Sequence, residues 1–167
     1  MKLRLLAVGR AGTKRPEIAL IDDYRQRLTW PLTIQEVEEK RPLPSAALKK
    51  REGELLLAAL DGGKAGSSKA GGGKAGRQIV VVLDERGRSL TSRDFAARIG
   101  AWRDDGAGEI VFLIGGADGH DEAVRTRADL LLSLGSMTWP HQMVRVLLAE
   151  QLYRAQQILA GHPYHRD

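Results

Sequence analysis

The sequence predicts an α/β fold built on a mainly parallel sheet, and three observations lead there. The runs QIVVVL (Gln78–Leu83) and EIVFLI (Glu109–Ile114) are apolar and β-branched without polar alternation, as in strands covered on both faces. Apolar runs of this kind alternate along the chain with stretches of helical period. The junctions between them carry Gly, Pro or capping residues.

In chain order, Lys2–Val8 (KLRLLAV) reads as a buried strand that stops at Gly9. Pro16 sits where a helix can begin, and Ile18, Leu20, Ile21, Tyr24 and Leu28 follow at helical spacing. Leu32, Ile34 and Val37 give a second, less regular strand. Ser45 is placed to cap a helix running to about Leu60, with Leu48, Leu55, Leu56 and Ala59 as its apolar stripe. Asp61–Gly76 (DGGKAGSSKAGGGKAG) is low-complexity and has little to bury, so it is expected as a flexible loop, extending to about residue 77. It does not divide the chain, which is read as one domain over residues 1–167.

Beyond the loop the pattern sharpens. After Gln78–Leu83, Thr91 or Ser92 caps a helix through Phe95, Ile99 and Trp102 that ends near Gly106. Glu109–Ile114 is closed by Gly115 and Gly116. Asp121–Ala128 reads as a short charged helix and Leu130–Leu134 as a short strand. Pro140 opens a long helix from His141 to Ala160, stopped by Gly161 and Pro163. Its apolar residues, from Met143 to Leu159, cover more than one stripe. That breadth calls for cover on two sides, one by the sheet and the other by a second subunit, or else for deep burial within one chain.

Composition narrows the function classes. At 43% hydrophobic residues the chain is a folded protein. No apolar run approaches the roughly eighteen residues of a membrane span. The N-terminal apolar stretch is short and interrupted by Arg4, unlike a signal peptide, so a cytoplasmic location is expected. The absence of cysteine excludes disulfides, thiolate nucleophiles and Cys-ligated zinc. A formal net charge of +5 suits a polyanionic partner, though many basic proteins have none.

Four segments have the residues for chemistry. Ile114–Gly119 (IGGADG) follows a buried strand, where glycines let a ligand approach the backbone; it lacks the G-x-G-x-x-G spacing and a phosphate-loop lysine, and reads equally as a tight turn. Leu83–Gly87 (LDERG) offers Asp84 and Glu85 as ligand contacts or a base, or as solvated turn residues. Leu134–His141 (LGSMTWPH) joins strand to helix with backbone groups suited to an adenine edge, or caps the helix around a packed Trp139. The tail His162–Asp167 (HPYHRD) combines an aromatic ring, imidazoles and a guanidinium, as RNA recognition requires, or is simply a frayed end. The histidines lack a metal-ligand spacing, and no metal is expected.

Taken in order, LAVG (Leu6–Gly9), LDERG (Leu83–Gly87), LIGGADG (Leu113–Gly119), SMTWPHQMVRVLLAEQLYRA (Ser136–Ala155) and HPYHR (His162–Arg166) resemble the RlmH family. These are SPOUT-class methyltransferases that act on N3 of a pseudouridine in 23S rRNA of the assembled ribosome. The resemblance spans nearly the whole chain, with Met137–Arg166 its most specific block. It implies a homodimer whose C-terminal part forms a deep trefoil knot, an exception to unknotted connections, with S-adenosyl-L-methionine bent inside it. Carried over by motif, cofactor contacts fall on Leu83, Gly115, Leu134, Gly135, Ser136, Met137, Thr138 and Trp139. The tail of one subunit is expected to face the other's cofactor. The chain departs from the family at Asp61–Gly76, which is longer and richer in glycine.

The resemblance also orders the reacting groups. N3 of a uracil-like base must lose a proton before or during attack. His165 is the first candidate base, with Asp118 and Asp167 behind it. Tyr164 would stack on the base, and Arg154 and Arg166 would hold phosphate or the developing anion. Arg145 reads equally as a structural ion-pair partner. Lys2, Arg4, Arg10, Lys14, Arg15, Arg25 and Arg27 offer a possible RNA surface near the N-terminus.

Overall fold

In the computed structural model, which describes residues 1–12, 15–67 and 76–163, strands and helices alternate as anticipated. They are β1 (Lys2–Val8), α1 (Pro16–Arg27), β2 (Leu32–Val37), α2 (Ser45–Ser67), β3 (Gln78–Ser89), α3 (Ser92–Asp104), β4 (Glu109–Ile114), α4 (Glu122–Thr126), β5 (Leu130–Ser133) and α5 (His141–Leu159). The five strands form one parallel sheet in the order β2-β1-β4-β3-β5.

Alternation along each strand sorts the core into two layers. Leu3, Leu5, Ala7, Ile79, Val81, Ile110, Phe112 and Ile114 pack against Phe95 and Ile99 of α3 and Leu148 and Leu152 of α5. Their neighbours Leu6, Val8, Val80, Val82, Val111 and Leu113 face Leu56 and Leu60 of α2 and Val124 of α4. The sheet is thus covered on both faces, which is why its strands carry so few polar residues. Local chemistry sets the helix starts: Thr91 Oγ1 accepts from Asp94 N, and Asp121 Oδ1 accepts from Val124 N. No helix of the described residues is long and apolar enough to cross a membrane.

Three expectations change. First, α2 does not stop near Leu60 but continues to Ser67, into the glycine-rich stretch. With Leu56 and Leu60 anchored in the core, each further turn needs only propagation, not nucleation. Second, β3 extends to Ser89; Leu83 and Arg88 both align with Leu132 of β5, and the residues between them leave the ladder.

The third concerns α5. Its breadth of apolar residues was assigned to the sheet and a second subunit, yet both flanks are covered within the chain, by α1 and α3. The Tyr24 and Tyr153 rings lie 6.0 Å apart, and Gln156 Oε1 accepts from Thr29 N and Oγ1 at 2.7 and 2.9 Å. On the other flank Leu159 fills the space left by Gly100, where a Cβ would lie 2.8 Å from its Cδ2. In-chain packing thus accounts for much of the apolar breadth of α5, while Met143, Val144 and Leu147 stay half-buried.

Candidate functional site

Three segments converge although they lie far apart in sequence: the stretch of β3 beyond Leu83, where it stops pairing with β4 and leaves the β5 ladder, and the turns that follow β4 and β5. Leu83–Arg86, Ile114–His120 and Leu132–Trp139 line one cavity of about 450 Å³, completed by Lys49, Arg125, His141 and Val144. All eight residues expected from the motifs as ligand contacts, Leu83, Gly115, Leu134, Gly135, Ser136, Met137, Thr138 and Trp139, face it. A more apolar hollow of about 320 Å³ shares Leu132–Gly135 and Trp139 and is backed by Phe95, Leu147 and Leu148. The 132–139 segment therefore borders both a cavity of mixed lining and a more apolar one.

The glycines have specific reasons to be there. A Cβ on Gly115 would lie 3.0 Å from the Gly119 carbonyl and 3.2 Å from His120 Cε1, so a side chain there would press on the turn. Gly119 and Gly135 adopt φ of 72° and 111°, a region L side chains rarely enter. Behind the turn, Ser45 Oγ donates to Asp118 Oδ2 at 2.9 Å, and the Glu52 carboxylate occupies the place of a Gly116 side chain. Burial, and then the charge of Asp118, push the Glu52 carboxyl up.

Asp84 and Arg125 form the electrostatic centre of the wall. Asp84 is buried, accepts from Arg86 N at 2.9 Å and pairs with Arg125 Nε at 2.7 Å. Burial alone would raise its carboxyl, but those two partners outweigh it and hold the pKa below the ordinary value. Of the two acids in this turn offered as a base, Asp84 is thus committed to structure, while Glu85 lines the cavity exposed.

His120 had no signal in the sequence, because its burial depends on how the Gly115–Gly119 turn folds back. It is 2% exposed, lines the cavity, and neither ring nitrogen makes a sound hydrogen bond. Burial lowers its pKa to about 4, opposed by the Asp84 charge and assisted by that of Arg125. The unfolded chain takes up this proton near pH 6.5 and the folded chain only near 4. Stability is therefore lost as pH falls from about 6.5 towards 4 and is flat in this respect above and below. The whole window is worth about 3 kcal/mol. Urea titrations at pH 7.5 and 5 should show this loss, and His120→Gln should reduce the difference between them. An unchanged difference would mean that the ring titrates normally.

Other expected site residues are placed elsewhere. Arg154 does not line the cavity of its own chain; it pairs with Glu150 at 2.6 Å. Arg145 is fully buried and structural: it donates to Val8 O and Gly9 O at 3.1 and 2.7 Å and pairs with Glu36. Tyr164, His165, Arg166 and Asp167 lie outside the described residues, as does Lys14. Of the N-terminal cations, Arg4, Arg10, Arg25 and Arg27 pair with Glu109, Glu38, Asp22 and Asp23, which weakens the case for an RNA surface there. No cluster of candidate metal ligands occurs among the described residues.

Comparison with known proteins gives this geometry its context. Residues 1–165 match a family model described as "Predicted SPOUT methyltransferase". The chain is 54% identical over 166 residues to the ribosomal RNA large subunit methyltransferase H of Rhodospirillum centenum, covering 99% of each. It is 45% identical over 175 aligned positions to the protein of that name from Brucella abortus, covering all of both. Among solved structures, the SpoU methyltransferase AviRb of Streptomyces viridochromogenes, in complex with the cofactor AdoMet, superposes with a TM-score of 0.52 at 16% identity. That match covers 96% of this chain and 62% of the other, and at such identity it speaks for the fold alone.

Proposed function

The chain belongs to the SPOUT methyltransferase family, and on that premise we propose that it transfers a methyl group from S-adenosylmethionine to N3 of a pseudouridine in 23S rRNA. The observation that carries this reading is the convergence on one cavity of the irregular stretch of β3 beyond Leu83 with the turns that follow β4 and β5. Relatives named as large-subunit rRNA methyltransferases match over essentially the full chain and support the substrate. The residues also suit the cofactor. Gly115 leaves a cradle that a side chain would fill, the adjoining apolar hollow suits a purine, and Glu85 and Asp118 supply negative charge for a cationic ligand.

When bound, S-adenosylmethionine supplies an activated methyl on a positively charged sulfur. The chain's own part is to bind, align and deprotonate. Backbone groups at Leu83, Gly115 and Leu134–Trp139 hold the donor. Asp84, locked by Arg125, keeps the 84–86 turn in register. The tail would supply the substrate side: Tyr164 would stack on the base, Arg166 would balance the developing anion, and His165 would accept the N3 proton. Following the family, we take the C-terminal part to be knotted and the enzyme to be a cytoplasmic homodimer acting on the assembled ribosome. The tail then works at the partner's cavity, the setting in which Arg154 would act.

Mass mapping of rRNA from cells with and without the protein tests the reaction. One methyl group on a pseudouridine should disappear with the gene, and an identical map would refute the assignment. At residue level, His165→Ala should leave cofactor affinity unchanged and slow methylation by roughly 100-fold or more, the usual contribution of a positioned base. Normal turnover in that variant would remove His165 from the reaction.

A further inference from the structure

Along the edge strand β5 runs a hollow of about 580 Å³ in which Arg77, Arg86, Arg88 and Arg98 face a single carboxylate, Asp129, beside Trp102. That carboxylate is already engaged, by Arg77 Nη2 at 2.7 Å and by Val80 N at 2.8 Å. Arg86, Arg88 and Arg98 are exposed, and among the described residues none of them has a carboxylate partner. By contrast, Arg25 and Arg27 on α1, and Arg41 and Arg51 beyond β2, pair with nearby acids. Uncompensated charge is concentrated here.

The groove is also held in place. Gly87 lies against β5 so closely that a Cβ would come within 2.6–2.7 Å of the Leu131 and Leu132 backbone. Its neighbours Arg86 and Arg88 both line the hollow. The Arg98 guanidinium lies 6.0 Å from the centre of the Trp102 ring. An aromatic surface beside unpaired guanidiniums suits a polynucleotide: phosphates for the charges, a base or sugar for the ring. Arg86 lines both this groove and the cavity described above.

We infer that this groove is a docking track for the phosphodiester backbone of the RNA substrate, leading it past Arg86 into the methyl-transfer cavity. The inference rests on the proposed reaction for its choice of polyanion. Its test can nonetheless be read separately, through binding of purified ribosomes at several salt concentrations. Arg88→Ala combined with Arg98→Ala should weaken that binding on the order of tenfold at 0.1 M salt. The double substitution should also flatten the dependence of log affinity on log salt by about 1–2. S-adenosylmethionine affinity, measured by calorimetry, should not change, and Lys at both positions should restore most of the salt slope.

Equal ribosome affinity and equal slope in wild type and double variant would overturn the docking track. So would a loss of affinity explained by a change in sedimentation, which would mark the groove as a contact between copies. If the wild type binds ribosomes through these arginines but shows no cofactor affinity, the track stands and the methyltransferase reading falls.

Discussion

Gly115→Arg should abolish S-adenosylmethionine binding, with an affinity loss of at least 100-fold, or about 3 kcal/mol. The first atom of any side chain there meets the Gly119 carbonyl at 3.0 Å and the buried His120 ring at 3.2 Å. Neither neighbour is the free end of a flexible chain, so the turn must open, and the rest of the arginine then enters the cavity. Calorimetry reads the affinity, and circular dichroism with urea unfolding shows whether the sheet survives. A folded variant with normal affinity would show that this turn does not hold the cofactor. Gly115→Ala provides the graded case: one methyl group, less displacement, and a smaller loss.

The largest effect on stability is expected at Arg145. Its guanidinium reaches from α5 to the carboxyl ends of β1 and β2, donating to Val8 O and Gly9 O and pairing with Glu36. Arg145→Met keeps much of the volume but leaves two carbonyls short of a donor and a carboxylate short of its counter-charge. Breaking a buried pair from one side costs about 3–5 kcal/mol, mostly from the stranded partner. Urea denaturation should show this as a lower midpoint at unchanged slope. Adding Glu36→Gln to the variant should recover part of the loss, because it removes the uncompensated charge. A midpoint within 1 kcal/mol of wild type would mean that water replaces the guanidinium freely.

Most of the fold was legible because each strand carries its own signal. The QIVVVL and EIVFLI runs are uniformly apolar since they are covered on both faces, and capping residues stand where the helices begin. What escaped depends on contacts between distant segments. Helix α2 continues to Ser67 because Leu56 and Leu60 are already packed, which no property of GGKAGS announces. At the polar end of β3, Arg88 and Ser89 pair with Leu132 and Ser133 of β5, a contact that no property of DERGRS announces.

The site divides the same way. Its three turns were readable because each is a glycine-bearing break after a buried strand. Lys49, Arg125, Glu52 and His120 were not, since α2, α4 and the folded-back turn deliver them from elsewhere in the chain. Arg145 stood in the sequence as two equal possibilities, and only its position beneath β1 and β2 decides for the structural one.

The in-chain cover of α5 bears on how assembly and folding relate. A helix that needed a second copy to bury its flank would tie each subunit's survival to concentration, because unfolding would then be coupled to dissociation. Here α1 and α3 already supply that cover. In-chain packing of this kind would let a subunit's durability depend less on its concentration than a helix buried only by a second copy would allow.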